Sequence, residues 1–170
     1  MSELTTRRSD PRLVRRLGEG ASSEVWLAED ASGTSVALKV ARGEGYSARL
    51  AEEAQRLLLA DSPYLAGVVD AGRLLRAVPT PDGGTLARGT AWVALEWIAG
   101  APLRPEAVAA SDRVGLAFVV ARDVGAALAD LHACGTAHGD VKPANVVVVG
   151  AGAAARARLI DLGLAEDVEA

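Results

Sequence analysis

The chain has 170 residues, half of them hydrophobic, a formal net charge of −4 and a pI of about 5.2. That content favours a folded domain over disorder, and the acidic balance argues against nucleic acid or an anionic membrane as a partner. The single cysteine, Cys134, fits a reducing, cytoplasmic setting. No apolar run reaches the roughly 18 residues that span a bilayer. The polar lead-in over residues 1–11 lacks the apolar centre of a signal peptide.

Short β-prone segments dominate the first third of the chain. They predict an antiparallel meander of three strands, over residues 13–20, 23–30 and 34–41. The next segment predicts a helix over residues 46–60, ended by Asp-Ser-Pro at 61–63. The helix is recognised by an apolar stripe at 3.6-residue spacing, formed by Leu50, Ala54, Leu57 and Leu58.

The rest of the chain mixes strands with one long helix. Residues 64–75 predict one or two strands, 77–89 a solvated loop rich in proline and glycine, and 90–98 a buried strand. A helix is predicted over 111–135, with Ser111 as N-cap, Gly135 just after its end, and an apolar stripe of Ala117, Val120, Val124, Leu128 and Leu131. Two final strands are predicted over 145–150 and 157–163, joined as a hairpin. This order predicts an α+β protein with an N-terminal sheet lobe.

Two motifs in the first third are candidates for phosphate chemistry. Gly18 and Gly20 flank one residue between predicted strands, which indicates either a simple hairpin turn or a turn whose backbone N–H groups cover a polyphosphate. Lys39 ends a buried-looking strand, either with its ammonium reaching solvent or as a cation for phosphate oxygens. A lysine in the second role needs a carboxylate partner. Helical geometry favours Glu53 over Glu52, because Glu53 flanks the apolar stripe.

The segment HGDVKPANVVV, residues 138–148, places polar side chains before a run of valines. A turn there can bring Asp140 and Asn145 to one face. The pair indicates either a turn that caps the strand, or a carboxylate that accepts a hydroxyl proton beside a carboxamide that binds a hard cation. Asn145 is the only asparagine, and of 18 basic residues only Lys39 and Lys142 are lysines. Arginine cannot replace a compact ammonium in a tight phosphate site without changing its geometry, so these positions look functionally constrained.

Taken together and in this order, the motifs resemble the eukaryotic-type (bacterial Hanks-type) serine/threonine protein kinase family from about residue 12 to the end of the chain. The similar segments are GEGASSEV (18–25) for the glycine-rich loop, VALK (36–39) for the V-A-I-K strand, VALEWIAGAPL (93–103) for the hinge, LHACGTAHGDVKPANVVV (131–148) for the catalytic loop, and DLG (161–163) for D-F-G. The resemblance implies a bilobal kinase-like fold with a complete N-terminal sheet lobe and the first part of a helical C-lobe. The implied domain is partial and spans 12–170, divided into an N-lobe (12–96), a hinge (97–103) and a partial C-lobe (104–170).

The resemblance also implies an activity: transfer of the γ-phosphate of ATP to a serine or threonine hydroxyl of a protein, with Mg²⁺. Asp140 would accept the hydroxyl proton, and Lys142 would contact the γ-phosphate. Lys39, held by Glu53, would bind the α- and β-phosphates. The remaining implied contacts are Mg²⁺ at Asn145 and Asp161, phosphates at Gly18 and Gly20, the adenine ring at Val25 and Ala37, and the hinge backbone at Glu96 and Ile98.

Three residues depart from the family pattern: Ser23 for the third glycine, Gly139 for the arginine of H-R-D, and Leu162 for phenylalanine in D-F-G. The loss of that arginine implies activity that does not depend on phosphorylation of the activation loop.

The chain also ends seven residues after Gly163, which predicts a fragment, a truncated product, or a C-lobe completed by a second chain. Two other functions stay open: a kinase-like nucleotide-binding or regulatory module without phosphotransfer, and a small-molecule kinase similar to aminoglycoside phosphotransferases, which share H-G-D.

Overall fold

The structure is a computed structural model that describes residues 10–167. Residues 1–9 of the predicted lead-in lie outside the described residues. The chain divides into two compact units: the first contains residues 10–54 and Val68–Trp97, and the second contains Gln55–Gly67 and residues 98–167. No described helix is both long and apolar enough to cross a membrane.

The first unit is built on an antiparallel sheet. Its strands in chain order are β1 (Arg12–Glu19), β2 (Ser23–Glu29), β3 (Ser35–Ala41), β4 (Val68–Arg73), β5 (Val78–Pro79), β6 (Thr85–Leu86) and β7 (Ala91–Glu96). Five of them form one sheet in the order β1-β2-β3-β7-β4. The predicted three-stranded meander and the strand within 90–98 are therefore confirmed. Residues 77–89 were predicted to be only a loop, which is wrong, because β5 and β6 pair there as a short hairpin.

Alternation along β3 explains why its two faces differ. Val36, Leu38 and Val40 lie on one face and are buried with Trp26 of β2 in the hydrophobic core of this unit. Ala37 and Lys39 lie on the other face, and the register places Val25 of β2 opposite Lys39. The core side of the sheet is thus apolar, and the opposite side carries the lysine.

Helix α1 spans Ser47–Ala60, close to the predicted range, and a 3₁₀ turn over Glu44–Tyr46 precedes it. The predicted apolar stripe is mostly confirmed, since Leu50, Ala54 and Leu57 are buried. Leu58 is 51% exposed, so its place in that stripe is wrong. The reason is that Glu53 is buried as well, which turns the buried face of the helix away from Leu58.

The second unit contains the long helix and several short strands. Its elements after α1 are β8 (Ala101–Pro102), α2 (Arg113–Ala133), β9 (Thr136–Ala137), β10 (Val146–Val149), β11 (Arg156–Leu159) and β12 (Glu166–Asp167). The predicted hairpin of the last two long strands is confirmed as the antiparallel pair β10–β11. The sequence did not predict that β8 extends this pair to three strands, or that β12 pairs with β9.

The ends and the buried face of α2 differ in part from the prediction. Gly135 follows the C-cap with φ +69°, as expected for a residue just past a helix end. Ser111 is not the N-cap; Asp112 occupies that position, and Ser111 Oγ instead donates to its carboxylate at 3.1 Å. Val124 and Leu131 of the predicted stripe are buried, whereas Ala117 is exposed, because the buried face covers only the second half of the helix.

Candidate active site

The glycine-rich turn lies between β1 and β2 in the first unit. Gly20 N–H donates to the carbonyl of Ser23 at 2.8 Å and closes the turn. Neither Gly18 nor Gly20 has a positive φ, and a Cβ built on Gly18 would meet no protein atom within 4 Å. Among residues 10–167, therefore, neither backbone conformation nor packing requires glycine at position 18. The space beside its backbone is what a closely approaching ligand needs.

Lys39 and Glu53 form a buried ion pair in the first unit. The Nζ of Lys39 donates to both carboxylate oxygens of Glu53, at 2.8 and 2.7 Å. Their side chains are only 7% and 6% exposed, whereas Glu52 is exposed. The predicted choice of Glu53 over Glu52 is confirmed. The pair holds the ammonium at a fixed place on the sheet face opposite the apolar core.

Val25 and Ala37 share that face with Lys39. Residues opposite each other in an antiparallel pair point to the same side, and so do residues two apart on one strand. Val25 lies opposite Lys39 and Ala37 lies two residues before it, so the three side chains form one surface, and Val25 and Ala37 are half-buried. This surface offers two apolar side chains beside a fixed cation. Of the remaining predicted contacts, Glu96 ends β7 in the first unit, and Ile98 is buried in the second.

The loop before β10 gathers three polar side chains in the second unit. Asp140 Oδ2 accepts from Lys142 Nζ at 2.5 Å and from Asn145 Nδ2 at 3.0 Å. Asn145 Nδ2 also donates to the backbone carbonyl of Asp140 at 2.9 Å. A 3₁₀ turn over Pro143–Asn145 produces this arrangement, and Asn145, immediately before the buried valines of β10, is only 6% exposed. The predicted approach of Asp140 and Asn145 is thus present in the structure.

The electrostatics of this loop keep Asp140 ionised. The hydrogen bond from Lys142 is the largest influence on its pKa and, with that from Asn145, holds the pKa below its usual value. Burial and the negative charge of Asp161 act in the opposite direction. The two aspartates are therefore near enough to interact, and a cation bound between them would relieve their repulsion.

His138 is a residue of this site that the sequence reasoning did not single out. It is 2% exposed; its Nδ1 accepts from the backbone N–H of Asp140 at 3.3 Å, and its Nε2 lies 3.2 Å from the carbonyl of Ile160. Burial lowers its pKa, so the ring is neutral at pH 7, with the proton on Nε2. His138 thereby ties the loop to the residue before Asp161. Its place at the start of H-G-D was the available signal.

Asp161 and Gly139 both have left-handed backbones, with φ +67° and +77°. Asp161 is exposed, while the next residue, Leu162, is buried. A Cβ at Gly139 would lie 2.1 Å from the carbonyl oxygen of Leu164, so only glycine fits there. The departure from H-R-D therefore has a structural reason: the segment after Asp161 lies directly on the backbone of the loop.

The donor atoms of this unit suit a hard divalent cation. Asn145 uses its Nδ2 for Asp140, which leaves Oδ1 as the oxygen for a cation, and Asp161 supplies a carboxylate. No group of three or more histidine, cysteine, aspartate or glutamate side chains positioned to hold a metal occurs in residues 10–167. Few protein ligands are typical of Mg²⁺, which keeps several waters and is completed by substrate phosphates.

Comparisons with known proteins agree with these motifs. Residues 12–170 match the family model described as protein kinase domain. The probable serine/threonine-protein kinase PkwA of Thermomonospora curvata is 32% identical over 93% of this chain and 20% of its own length. The serine/threonine-protein kinase AfsK of Streptomyces coelicolor is 34% identical over 94% of this chain and 19% of its own length. For PknA of Mycobacterium tuberculosis the identity is 30%, over 94% of this chain and 36% of that protein. The chain thus spans between about a fifth and about a third of these relatives.

Proposed function

This chain belongs to the protein kinase family, as a domain of the serine/threonine type, and from that premise we propose that it binds ATP with Mg²⁺ and transfers the γ-phosphate to a serine or threonine hydroxyl of a protein. One observation carries the proposal: Lys142 and Asn145 both donate to Oδ2 of Asp140. Among the described residues, Oδ1 of Asp140 has no donor, so this oxygen is the one that can accept a proton from an acceptor hydroxyl.

The reaction needs positioning and charge neutralisation more than covalent chemistry by the protein. The acceptor oxygen forms a bond to the γ-phosphorus, the bond to the β–γ bridging oxygen breaks, ADP leaves, and the hydroxyl proton passes to Asp140. Lys142 is half-exposed and would move from Asp140 to the γ-phosphate oxygens, as charge develops on them. Mg²⁺ neutralises phosphate charge when it is bound, and Asn145 and Asp161 would hold it.

In the first unit, the Lys39–Glu53 pair would place an ammonium against the α- and β-phosphates. Because Glu53 binds Lys39 through both oxygens, the cation is positioned before ATP arrives. Backbone N–H groups of the turn at Gly18 and Gly20 would cover the phosphates. Val25 and Ala37 would contact the adenine ring.

Two backbone contacts to the adenine, the cellular location and the partner complete the proposal. The backbone of Glu96 and Ile98 would hydrogen-bond the edge of the adenine. We expect a cytoplasmic location, because the chain has a single cysteine and therefore no internal disulfide. The proposed partner is a protein substrate, because the matched relatives are serine/threonine-protein kinases.

The direct test measures transfer of labelled γ-phosphate to a generic protein substrate. Asp140→Asn should lower the rate about 100- to 10,000-fold, the usual contribution of a general base. Asp112→Asn, the same substitution at an exposed position of the second unit, is the matched control and should leave the rate unchanged. Equal transfer by wild type and Asp140→Asn would contradict the proposal.

Nucleotide binding is tested separately from transfer. Mg²⁺-ATP should raise the unfolding temperature of the wild type, because a ligand that binds only the folded state stabilises it. Lys39→Met should lose this ligand-dependent rise. No rise in the wild type at millimolar ATP would exclude the ATP site itself.

A further inference from the structure

Glu19 lies between the two glycines of the turn, and an arginine contacts each of its carboxylate oxygens. Arg42 Nη1 donates to Oε1, and Arg16 Nη1 donates to Oε2. All three side chains are between about a third and about two fifths exposed. The two ion pairs therefore hold the last residue of β1, immediately before the turn that would cover the phosphates.

Arg42 connects the turn to β3. It follows the last residue of that strand and lies three residues after Lys39. Its backbone N–H donates to the carbonyl of Ser22 at 2.9 Å, and its Nη1 also approaches the carbonyl of Gly20 at 3.3 Å. Arg42 thus contacts the turn at three places from the strand that carries the lysine of the phosphate site.

Arg16 connects the turn to the short hairpin formed by β5 and β6. Its guanidinium lies 4.8 Å from the centre of the Trp26 ring, and its Nη2 lies 2.6 Å from Oδ2 of Asp82. Asp82 in turn accepts from Thr80 Oγ1 at 2.5 Å. The Nη2 of Arg16 also lies 3.7 Å from Oε2 of Glu24. A planar guanidinium held by a ring and three carboxylates has few alternative positions.

We propose that Arg42 and Arg16 are positioning residues that hold the glycine-rich turn in its nucleotide-binding conformation, and that Asp82 acts through Arg16. The inference rests on the proposed ATP site and deepens it. Glycine gives a chain more conformations to lose on binding than any other residue does. Ion pairs that restrict the turn beforehand reduce the ordering that ATP must impose, which strengthens binding.

The other end of the same two strands offers a matched control. Arg12 of β1 and Glu29 of β2 form an exposed ion pair of the same residue types, away from the glycines. If the ion pairs at Glu19 only stabilise the sheet, Arg12→Gln and Arg42→Gln should behave alike. If they position the turn, only Arg42→Gln should change nucleotide binding.

The experiment measures the Kd for Mg²⁺-ATP by calorimetry and, without nucleotide, amide hydrogen exchange over residues 20–23. Arg42→Gln should raise Kd about fivefold, the upper range for an exposed ion pair, and should speed exchange in the turn. Glu19→Gln should have a similar effect, and the double variant should add little to it. Asp82→Asn should act in the same direction more weakly, and Arg12→Gln should change neither quantity.

Two further measurements separate an electrostatic role from simple loss of packing. The effect of Arg42→Gln should fade at about 1 M salt, where the Debye length is about 3 Å. Arg42→Lys, which keeps a positive charge beside Glu19, should bind Mg²⁺-ATP more tightly than Arg42→Gln.

The proposal is overturned if Arg42→Gln leaves exchange in the turn unchanged, or if Arg12→Gln raises Kd equally. It is also overturned if Arg42→Lys binds Mg²⁺-ATP no more tightly than Arg42→Gln. If the wild type binds no ATP, the proposed function fails, and the exchange measurement still decides whether Arg42 holds the turn.

Discussion

The chain has two lysines, and each is paired with a carboxylate, one in each unit. Lys39 and Glu53 in the first unit are 7% and 6% exposed, whereas Lys142 and Asp140 in the second are 51% and 24% exposed. Two pairs of the same chemistry therefore differ chiefly in their access to water.

That difference indicates two kinds of role. A buried ion cannot lose its partner without a large desolvation penalty, so Lys39 stays where the fold places it. An exposed ion pair contributes little to stability, so Lys142 can exchange Asp140 for another anion. The first pair suits a fixed cation for bound phosphates, and the second suits a cation that moves to a phosphate during transfer.

Breaking the buried pair should have the largest effect on stability. Lys39→Met leaves the Glu53 carboxylate buried without its bidentate partner, and we expect a loss of about 3–5 kcal/mol in the free energy of unfolding, measured with urea. Lys39→Met combined with Glu53→Leu should recover much of that loss, because no charge is left buried. Glu52→Gln, an exposed neighbour, is the control. A double variant as unstable as the single one would contradict the role assigned to the buried charge.

The site of the second unit depends on close backbone packing in addition to ion pairs. Gly139→Ala should lower the free energy of unfolding by about 1–3 kcal/mol, because the added Cβ collides with the Leu164 carbonyl and the left-handed backbone disfavours alanine. Gly135→Ala separates the two causes: Gly135 has a similar φ of +69°, but an added Cβ there meets nothing within 4 Å. Equal losses in the two variants would mean that the contact with Leu164 is unimportant.

His138 should make the second unit sensitive to acid. Burial lowers its pKa below the ordinary 6.5, so the unfolded state takes up the proton first as the pH falls. Its contribution to stability is therefore full above about pH 6.5 and is lost as the pH falls from there towards the folded pKa. Thermal unfolding between pH 7.5 and 5.5 should show this loss in the wild type. The control variant His132→Asn should show it too, because His132, the other histidine, is exposed. His138→Asn should lose less stability over this pH range. A pH profile equal to that of the wild type would contradict the role assigned to His138.

Breaking the exposed pair should have the smallest effect on stability. Lys142→Met should leave the unfolding temperature at pH 7 nearly unchanged, yet it should raise the pKa of Asp140, since the hydrogen bond from Lys142 is the largest cause of its lowering. Stability that comes from a lowered pKa is present above the ordinary value of 3.8 and is lost as the pH falls through the folded pKa. NMR titration of the Asp140 carboxyl carbon measures the shift, with Lys142→Arg as a control that keeps the charge. An equal pKa of Asp140 in the wild type and in Lys142→Met would refute the assignment of Lys142 as the main cause of its lowering.

Much of the fold and of the site was predictable because it is encoded locally. Short β-prone segments predicted the meander, and the choice of Glu53 over Glu52 followed from where each lies around one helix. The same local reasoning was wrong for Leu58 and Ser111. At Leu58 the buried Glu53 turns the helix face, and at Ser111 the helix begins one residue later than the pattern indicated.

The sequence by itself determined the order of the motifs, the types of the main elements and the choice of Glu53 as the partner of Lys39, because these depend on residues near one another in the chain. Only the tertiary structure decided why position 139 is glycine, that His138 ties the loop to Ile160, and that Arg42 and Arg16 meet at Glu19. Arg16 and Glu19 are only three residues apart. Each of the other contacts joins residues too far apart in the chain for a helix or strand period to relate them. Their geometry exists only once distant segments have packed.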